Sequence, residues 1–500
     1  MEPGFRRCSV WRALVAALVM RALPVLLALA LFGCSERADD ARKAELASVF
    51  SRADQPLIRA RPALVAGKYA RMAASTYSYQ RGNLPMFLHD WQTGSELSGS
   101  RFSLVSPLVL GTGDPHPENY GVLIAGDGTL AVEPNDFDSA DHVPYLWDLR
   151  RLVVGMLIGT RVSNPSDESA RLVAVAAQED IARATVEGYA STIQALANGA
   201  PATRLDDSQA GAIAADLLKR SAKDVASRDE LPQLTELTGT KRRLLRGNLD
   251  PADPGDILGD LPAFVLDALP DTLAEYRKSL ATPPDAAYFT VLDAVRRYGQ
   301  GVASWPRVRL LLLVRGPTDA PEDDVILELR ELTDSFVGGW TPPGVYYDTP
   351  AQRILATSRA AWARPDASPL WGVSTLSGMP CQIRLESEGQ KTFRTRRFED
   401  DLGTPQAIAE LGGQLGALQA RIHSGAAVDV ANVIAADQQE FVNEQVRVSL
   451  AYADRVEHDA KLFGEVLADL GPRLGMPASE SDQVPQDMAA LIGTPPEISP

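Results

Sequence analysis

Residues 111 to 138 read GTGDPHPENYGVLIAGDGTLAVEPNDFD, and the central VLIAGDGTLAV constrains the fold more than any other stretch. Two apolar runs flank Asp127-Gly128, a pair that accepts the positive φ of a tight turn, so the segment closes as a β-hairpin. Its midpoint lies midway between Asn119 and Asp136, which predicts that these side chains face each other at the open end, beside the loop carrying Asp114 and His116. Taken singly, such residues are common loop caps. Taken together, they concentrate oxygen donors of the kind a hard divalent cation prefers, since Mg²⁺ takes one or two protein oxygens and fills its octahedron with water and phosphate. Asn119 and Asp136, with Asp138 two residues on, are the candidate metal ligands, and Asp114 is left to orient or deprotonate an attacking hydroxyl. One local histidine and no cysteine make a poor zinc set.

The rest of the chain alternates in character. YLWDLRRLVVGMLIG starts a helix with apolar positions throughout, and the pattern from about 165 to 285 is helical, broken by DPADPGD and TPPD. RVRLLLLVRG and DVILELREL, separated by the turn-forming PTDAPEDD, then read as an antiparallel strand pair. A helix near 349 to 363 leads to the strand-like LWGVSTL and CQIRLES. A further helix has Thr404 as N-cap, Pro405 at its first position, and Ile408, Leu411, Leu415, Leu418 and Ile422 on one face. Another helix covers about 436 to 469. The expected class is α+β in two lobes. A helical lobe over 59–290 carries the hairpin, a smaller antiparallel sheet lobe occupies 291–400, and helices over 401–470 complete the helical lobe. Residues 34–58 suit a tether or first helix, and 471–500 a disordered tail.

A chain of 500 residues that is 45% apolar exceeds one ordinary core. With 49 basic against 65 acidic residues its formal charge is −16, which repels a phosphate backbone and argues against nucleic acid as partner. Arg6 and Arg7, the apolar LPVLLALALFGC and the polar SERADDARK read as an export signal. Leu31-Phe32-Gly33-Cys34 resembles the bacterial lipobox. That resemblance implies a signal peptide over 1–33, diacylglycerol on Cys34, and a periplasm-facing position in the cell envelope, held to the membrane through the lipid. Ser35 fits the outer membrane better than the inner. Cys8 leaves with the signal, so Cys381 remains as a core thiol and no intrachain disulfide is expected.

GDPHPEN followed by NDFD resembles the catalytic loop and metal-binding segment of the protein-kinase-like superfamily, in particular the aminoglycoside phosphotransferase branch. The resemblance implies that Asp114 is the catalytic aspartate, with His116 beside it, that Asn119 binds metal, and that Asp136 holds Mg²⁺ beneath nucleotide phosphates. Asp148 in WDLRRL matches the helix-start aspartate that follows. In order, KYARMAASTYSYQRG, GDPHPENYG, NDFD, WDLRRL, VILELREL and LGGQLGALQARIHS resemble the landmarks of DUF2252, a bacterial family of unknown function. The sheet-like segment follows the catalytic loop, where kinase-like chains place it before, and LGALQARIH lies far downstream. This order implies a circular permutation, which compact domains tolerate because their termini are often close.

The chain also departs from the kinase-like pattern. Gly113 stands where a histidine precedes the catalytic aspartate. Where related sequences resemble G-x-G-S-x-G, Gly301 and Ser304 remain but Ala303 and Pro306 replace glycines. Arg330 occupies the lysine position and Ala356 the glutamate position. ATP or another nucleotide would contact Gly301, Ser304 and Arg330. Two functions follow: Mg²⁺-dependent phosphoryl or nucleotidyl transfer to an unidentified small-molecule or protein acceptor, or pseudokinase-like binding of a ligand or partner without catalysis. A metal-dependent hydrolase ranks third. Arg81 reads as an anion contact or a salt-bridge partner of Asp136 or Asp138, and His423 as a helix-end residue.

Overall fold

The computed structural model of the chain describes residues 37–104, 106–161, 168–202, 204–250, 253–335, 347–399 and 402–470. The signal read at 1–33, the lipidation residue read at Cys34 and the tail read at 471–500 lie outside the described residues. Among the described residues no helix is long and apolar enough to cross a membrane.

Of the segment 34–58, expected as a tether or first helix, the described residues 37–58 are built into the body. Residues 37–53 form helix α1, and its Leu46, Val49 and Phe50, spaced at i, i+3 and i+4, are buried in the main helical core. Arg42 on the same helix donates to Asp90 at 2.8 and 2.7 Å and to Asp459 at 2.9 and 2.6 Å, tying α1 to two distant helices. Helices α2 (Pro62–Ala73) and α3 (Thr76–Gly82) follow.

Strand β1 (Val109–Gly111) pairs antiparallel with β4 (Asp141–Val143), and between them β2 (Tyr120–Ile124) and β3 (Leu130–Pro134) form the hairpin. Both hairpin edges are covered. Val122 N–H donates to the Lys391 carbonyl at 2.7 Å, and Val132 N–H to the Leu205 carbonyl at 2.8 Å. Helix α4 (Tyr145–Arg161) is buried almost all round, Arg150 and Arg151 included, as its unbroken apolar run requires. Helix α5 (Glu168–Ala197) packs beside it.

A separate hairpin, β5 (Thr235–Thr238) with β6 (Lys241–Leu244), precedes a seven-stranded antiparallel sheet. Its strands are β7 (Gly247–Asp250), β8 (Asp253–Gly259), β9 (Val291–Arg297), β10 (Arg309–Val314), β11 (Val325–Glu331), β12 (Gly372–Leu376) and β13 (Met379–Leu385). Their order in space is β12-β13-β11-β10-β9-β8-β7. The sheet thus begins well before residue 291, because β7 and β8 occupy a stretch expected to be helical. Helix α6 (Ala263–Ser279) covers one face, burying Leu269, Leu273 and Tyr276 against Leu310, Leu312, Leu327 and Leu329. Strand alternation sends Ile326, Glu328 and Arg330 to the opposite face.

Helix α7 (Pro350–Ala361) precedes β12, and the chain then returns to the helical body through α8 (Pro405–Ile422) and α9 (Gln438–Leu470). Thr404 caps α8 as expected, its hydroxyl accepting from the Ala407 N–H at 3.2 Å. A cluster of Leu123, Phe137, Leu332, Trp362, Trp371 and Ile422 joins the β2–β3 hairpin to the sheet side. Cys381 is fully buried, and burial pushes its thiol up.

Candidate functional site

The hairpin forms where expected, but its register differs by one residue. Ala125 N–H donates to the Thr129 carbonyl at 3.0 Å, and Gly128, at φ +81°, donates back to Ala125 at 2.8 Å, so the loop is Gly126-Asp127-Gly128. A three-residue loop ending in a left-handed glycine replaces the two-residue turn. Tyr120 therefore pairs with Pro134, and the Asn135 N–H donates to the Asn119 carbonyl at 3.1 Å. Asn119 faces Asn135, and Asp136 lies just beyond the paired end.

The loop before the hairpin is held from beneath by α4. The buried Asp148 carboxylate accepts from the Thr112 N–H at 2.8 Å, the Gly113 N–H at 3.1 Å and the Gln419 amide at 2.7 Å. His423 Nε2 lies 3.3 Å from the same carboxylate, and its Nδ1 lies 2.8 Å from the Tyr189 hydroxyl. His423 is thus a buried network residue as well as the end of α8. Trp147 Nε1–H donates to the Gly113 carbonyl at 2.7 Å. Gly113 has φ +77°, and a Cβ there would lie 1.9 Å from the Ser139 carbonyl oxygen, which explains why no side chain precedes Asp114. Gly113→Ala is expected to add about 1–3 kcal/mol of backbone strain, plus the clash, and urea unfolding measures the loss.

Asp114 is the next residue. Arg151 Nε–H donates to it at 2.7 Å, while Nη1 and Nη2 donate to Asn83 Oδ1 at 2.7 Å and the Gln80 carbonyl at 2.6 Å. Burial pushes the Asp114 carboxyl above its usual range, against the pull of Arg151 and Arg81. The Asn119 side-chain amide donates to the Asp114 backbone carbonyl at 2.9 Å.

His116 is buried, and its Nδ1 has no hydrogen-bond partner among the described residues. Burial first, then the Arg81 and Arg151 charges, lower its pKa well below the usual value, so it is neutral at pH 7. The unfolded chain takes up this proton near pH 6.5 and the folded one does not, so stability falls as pH drops below about 6.5. The expected slope from this group approaches about 1.4 kcal/mol per pH unit. A His116→Gln variant compared by urea unfolding across pH 5 to 8 removes that slope.

Asp136 and Asp138 differ in their surroundings. The Asp136 side chain keeps 31% exposure, accepts from the Asp138 N–H at 3.1 Å and lies 3.9 Å from Arg330 Nη2. Burial and the neighbouring Asp138 push its carboxyl up, against Arg330. Asp138 accepts from Arg307 at 2.9 Å and Arg330 at 3.3 Å. Burial acts to raise Asp138 too, but Arg330, Arg307 and Arg353 outweigh it and hold the carboxyl low. The loop is fixed by Arg353, whose guanidinium donates to the carbonyls of Phe137, Asp138, Ala140 and Thr333 at 2.7–3.1 Å. Asp138, read as a metal ligand, is thus committed to arginines. Among the described residues no three His, Cys, Asp or Glu side chains group to hold a metal.

The segment 301–307 forms the opposite wall. Gly301 has φ +79°, and a Cβ there would meet Ser304 Oγ at 2.4 Å. Trp305 N–H donates to Val302 at 3.2 Å and Arg307 N–H to Ser304 at 3.0 Å, closing a compact turn. Arg61 donates to the Pro306 carbonyl at 3.1 Å. One cleft, about 770 Å³ of atom-free space with its mouth included, is lined by Asp114, His116, Asn119, Asp136, Asp138, Gly301, Ser304 and Arg307. Arg330 reaches this group through Asp138. Arg81 lines the cleft but pairs with Glu118 at 3.2 Å, not with Asp136 or Asp138.

The sequence over 59–466 matches the family described as "Uncharacterized protein conserved in bacteria (DUF2252)". The chain belongs to the DUF2252 family. No curated protein and no solved structure matches it.

The sequence reading of this DUF2252 chain missed several residues at the cleft. Arg151 carried a signal, since two adjacent arginines inside an apolar helix must be paired when buried. Lys68 and Asp54, which line the cleft as a buried ion pair, carried none, because their pairing is tertiary. Position 356 sits on the exposed face of α7, and that helix approaches the site through Arg353.

Proposed function

We propose that this DUF2252 protein is a kinase-like envelope protein that transfers a phosphoryl or nucleotidyl group to an acceptor in a Mg²⁺-dependent reaction. The observation that carries this reading is the convergence on one cleft of Asp114, Asn119 and Asp136 with Gly301 and Ser304, two groups far apart in sequence. The corresponding fold is two-lobed and circularly permuted. In its support, α8 returns from far downstream to the hairpin, where Gln419 Oε1 accepts from the Tyr120 hydroxyl at 2.6 Å. The lipobox-like Cys34 supports a position on the periplasmic side of a membrane, the outer more than the inner.

Asn119 and Asp136 fit Mg²⁺. The Asn119 amide nitrogen is engaged by the Asp114 carbonyl, leaving Oδ1 as an acceptor, and Asp136 remains part-exposed. Two hard oxygen donors and no nitrogen or sulfur suit an ion that completes its shell with water and phosphate. When bound, the ion supplies positive charge against phosphate oxygens. Asp114, its pKa raised and its orientation fixed by Arg151, takes the proton of an acceptor hydroxyl. Neutral His116 lines the same wall and supports the loop that carries Asp114. Gly301 and Ser304 face the nucleotide phosphates, with Arg330 behind them on Asp138.

Incubation with labelled ATP or GTP, Mg²⁺ or Mn²⁺ and an envelope extract tests this. Label transfer by the wild type that Asp114→Ala lacks supports it, and equal label in both removes the enzyme claim.

A second reading, binding without turnover, is favoured by the arginines that hold Asp138 and by Ala303 and Pro306 in the opposing turn. A periplasmic location, where ATP is scarce, points the same way. Ligands then raise the melting temperature without being consumed.

A further inference from the structure

The chain carries a charge of −16, and Asp54, Asp114, Asp136 and Asp138 line its cleft. A polyphosphate entering there needs cations that face it. Arg151 is spent on positioning Asp114, Arg81 on Glu118, and Arg330 on the Asp136 and Asp138 pair. Lys68 is different. It lines the cleft from α2, as Gly301 and Ser304 do from their turn, and its Nζ lies 2.8 and 2.7 Å from the two Asp54 oxygens. Tyr69 donates to Asp54 at 2.9 Å, so the carboxylate is fixed independently of the lysine. An ammonium has three protons, and the two given to Asp54 leave one for a further acceptor. On the far flank of the turn, Arg307 lines the cleft and gives Nη1 to Asp138.

We propose that Lys68, held by Asp54, is a phosphate-binding residue of this cleft, with Arg307 flanking the same turn. This rests on the reading of the cleft as a nucleoside polyphosphate site. It moves the phosphate grip from Arg330 on the sheet to the helical wall. As a compact point charge on a flexible stem, the ammonium reaches a phosphate oxygen without leaving its carboxylate.

The test is calorimetric titration of the full chain with Mg²⁺ and a non-hydrolysable ATP analogue, and separately with inorganic tripolyphosphate. Lys68→Met is expected to weaken binding by about thirtyfold or more. Asp54→Asn, which breaks the same ion pair but leaves the cation, is expected to tighten it by about two- to fivefold. If Lys68→Met does not fold, the double variant Lys68→Met with Asp54→Asn, which leaves no unpaired buried charge, should bind as weakly as Lys68→Met is expected to. Opposite signs for the single variants support the proposal. Equal weakening by both, or no change in either, overturns it and leaves the function standing as long as the wild type binds nucleotide. A wild type that binds tripolyphosphate with the opposite-sign pattern but no nucleotide overturns only the function. Binding of neither overturns both.

Discussion

Asp114→Asn is expected to lower group transfer by on the order of 10²–10⁴-fold while leaving the fold intact, because it removes the proposed general base and almost nothing else. An asparagine oxygen still accepts from Arg151 Nε–H, and Arg151 keeps Asn83 and the Gln80 carbonyl as further acceptors. The guanidinium is therefore not stranded. Burial raises the Asp114 carboxyl, so transfer should increase with pH as this group ionises and fall as pH drops through its raised value. Single-turnover rates with labelled nucleotide, beside urea unfolding of both proteins, separate lost chemistry from lost structure. A matched loss of stability would reassign Asp114 to loop support.

Asp148→Ala is expected to have the largest effect on stability, on the order of 3–5 kcal/mol. The carboxylate is fully buried and serves the N–H groups of Thr112 and Gly113 and the Gln419 amide. Alanine leaves these donors without their acceptor, and each stranded polar group costs about 1–3 kcal/mol. Urea unfolding gives the magnitude. The variant should also lose transfer at temperatures where it is still folded, because the two amides it releases fix the backbone just before Asp114. A destabilisation below about 1 kcal/mol, typical of an ordinary surface change, would contradict this role.

What the sequence made legible was local. Asp127-Gly128 announced the hairpin, Thr404-Pro405 the start of a helix, and the Leu-rich runs around PTDAPEDD a strand pair, because each depends on neighbours in the chain. The register failed by one residue because a three-residue loop with Gly128 at φ +81° and a two-residue turn share the same sequence signal. Strands β7 and β8 were hidden because GNLDPADPGDILG lacks clean alternation and draws its order from pairing with β9. In the site, the carboxylates and the amide were visible by type and spacing. Their arginine partners were not. Arg307, Arg330 and Arg353 come from other elements, and only the folded chain shows that they engage Asp138 and its loop.

The most direct measurement is calorimetric titration of Mg²⁺ with a non-hydrolysable ATP analogue into the wild type and into Asp136→Ala, each with and without metal. Metal-dependent binding by the wild type, abolished in Asp136→Ala, is the predicted result. Absence of nucleotide binding, or binding indifferent to both metal and Asp136, would contradict the assignment of this cleft as a kinase-like site.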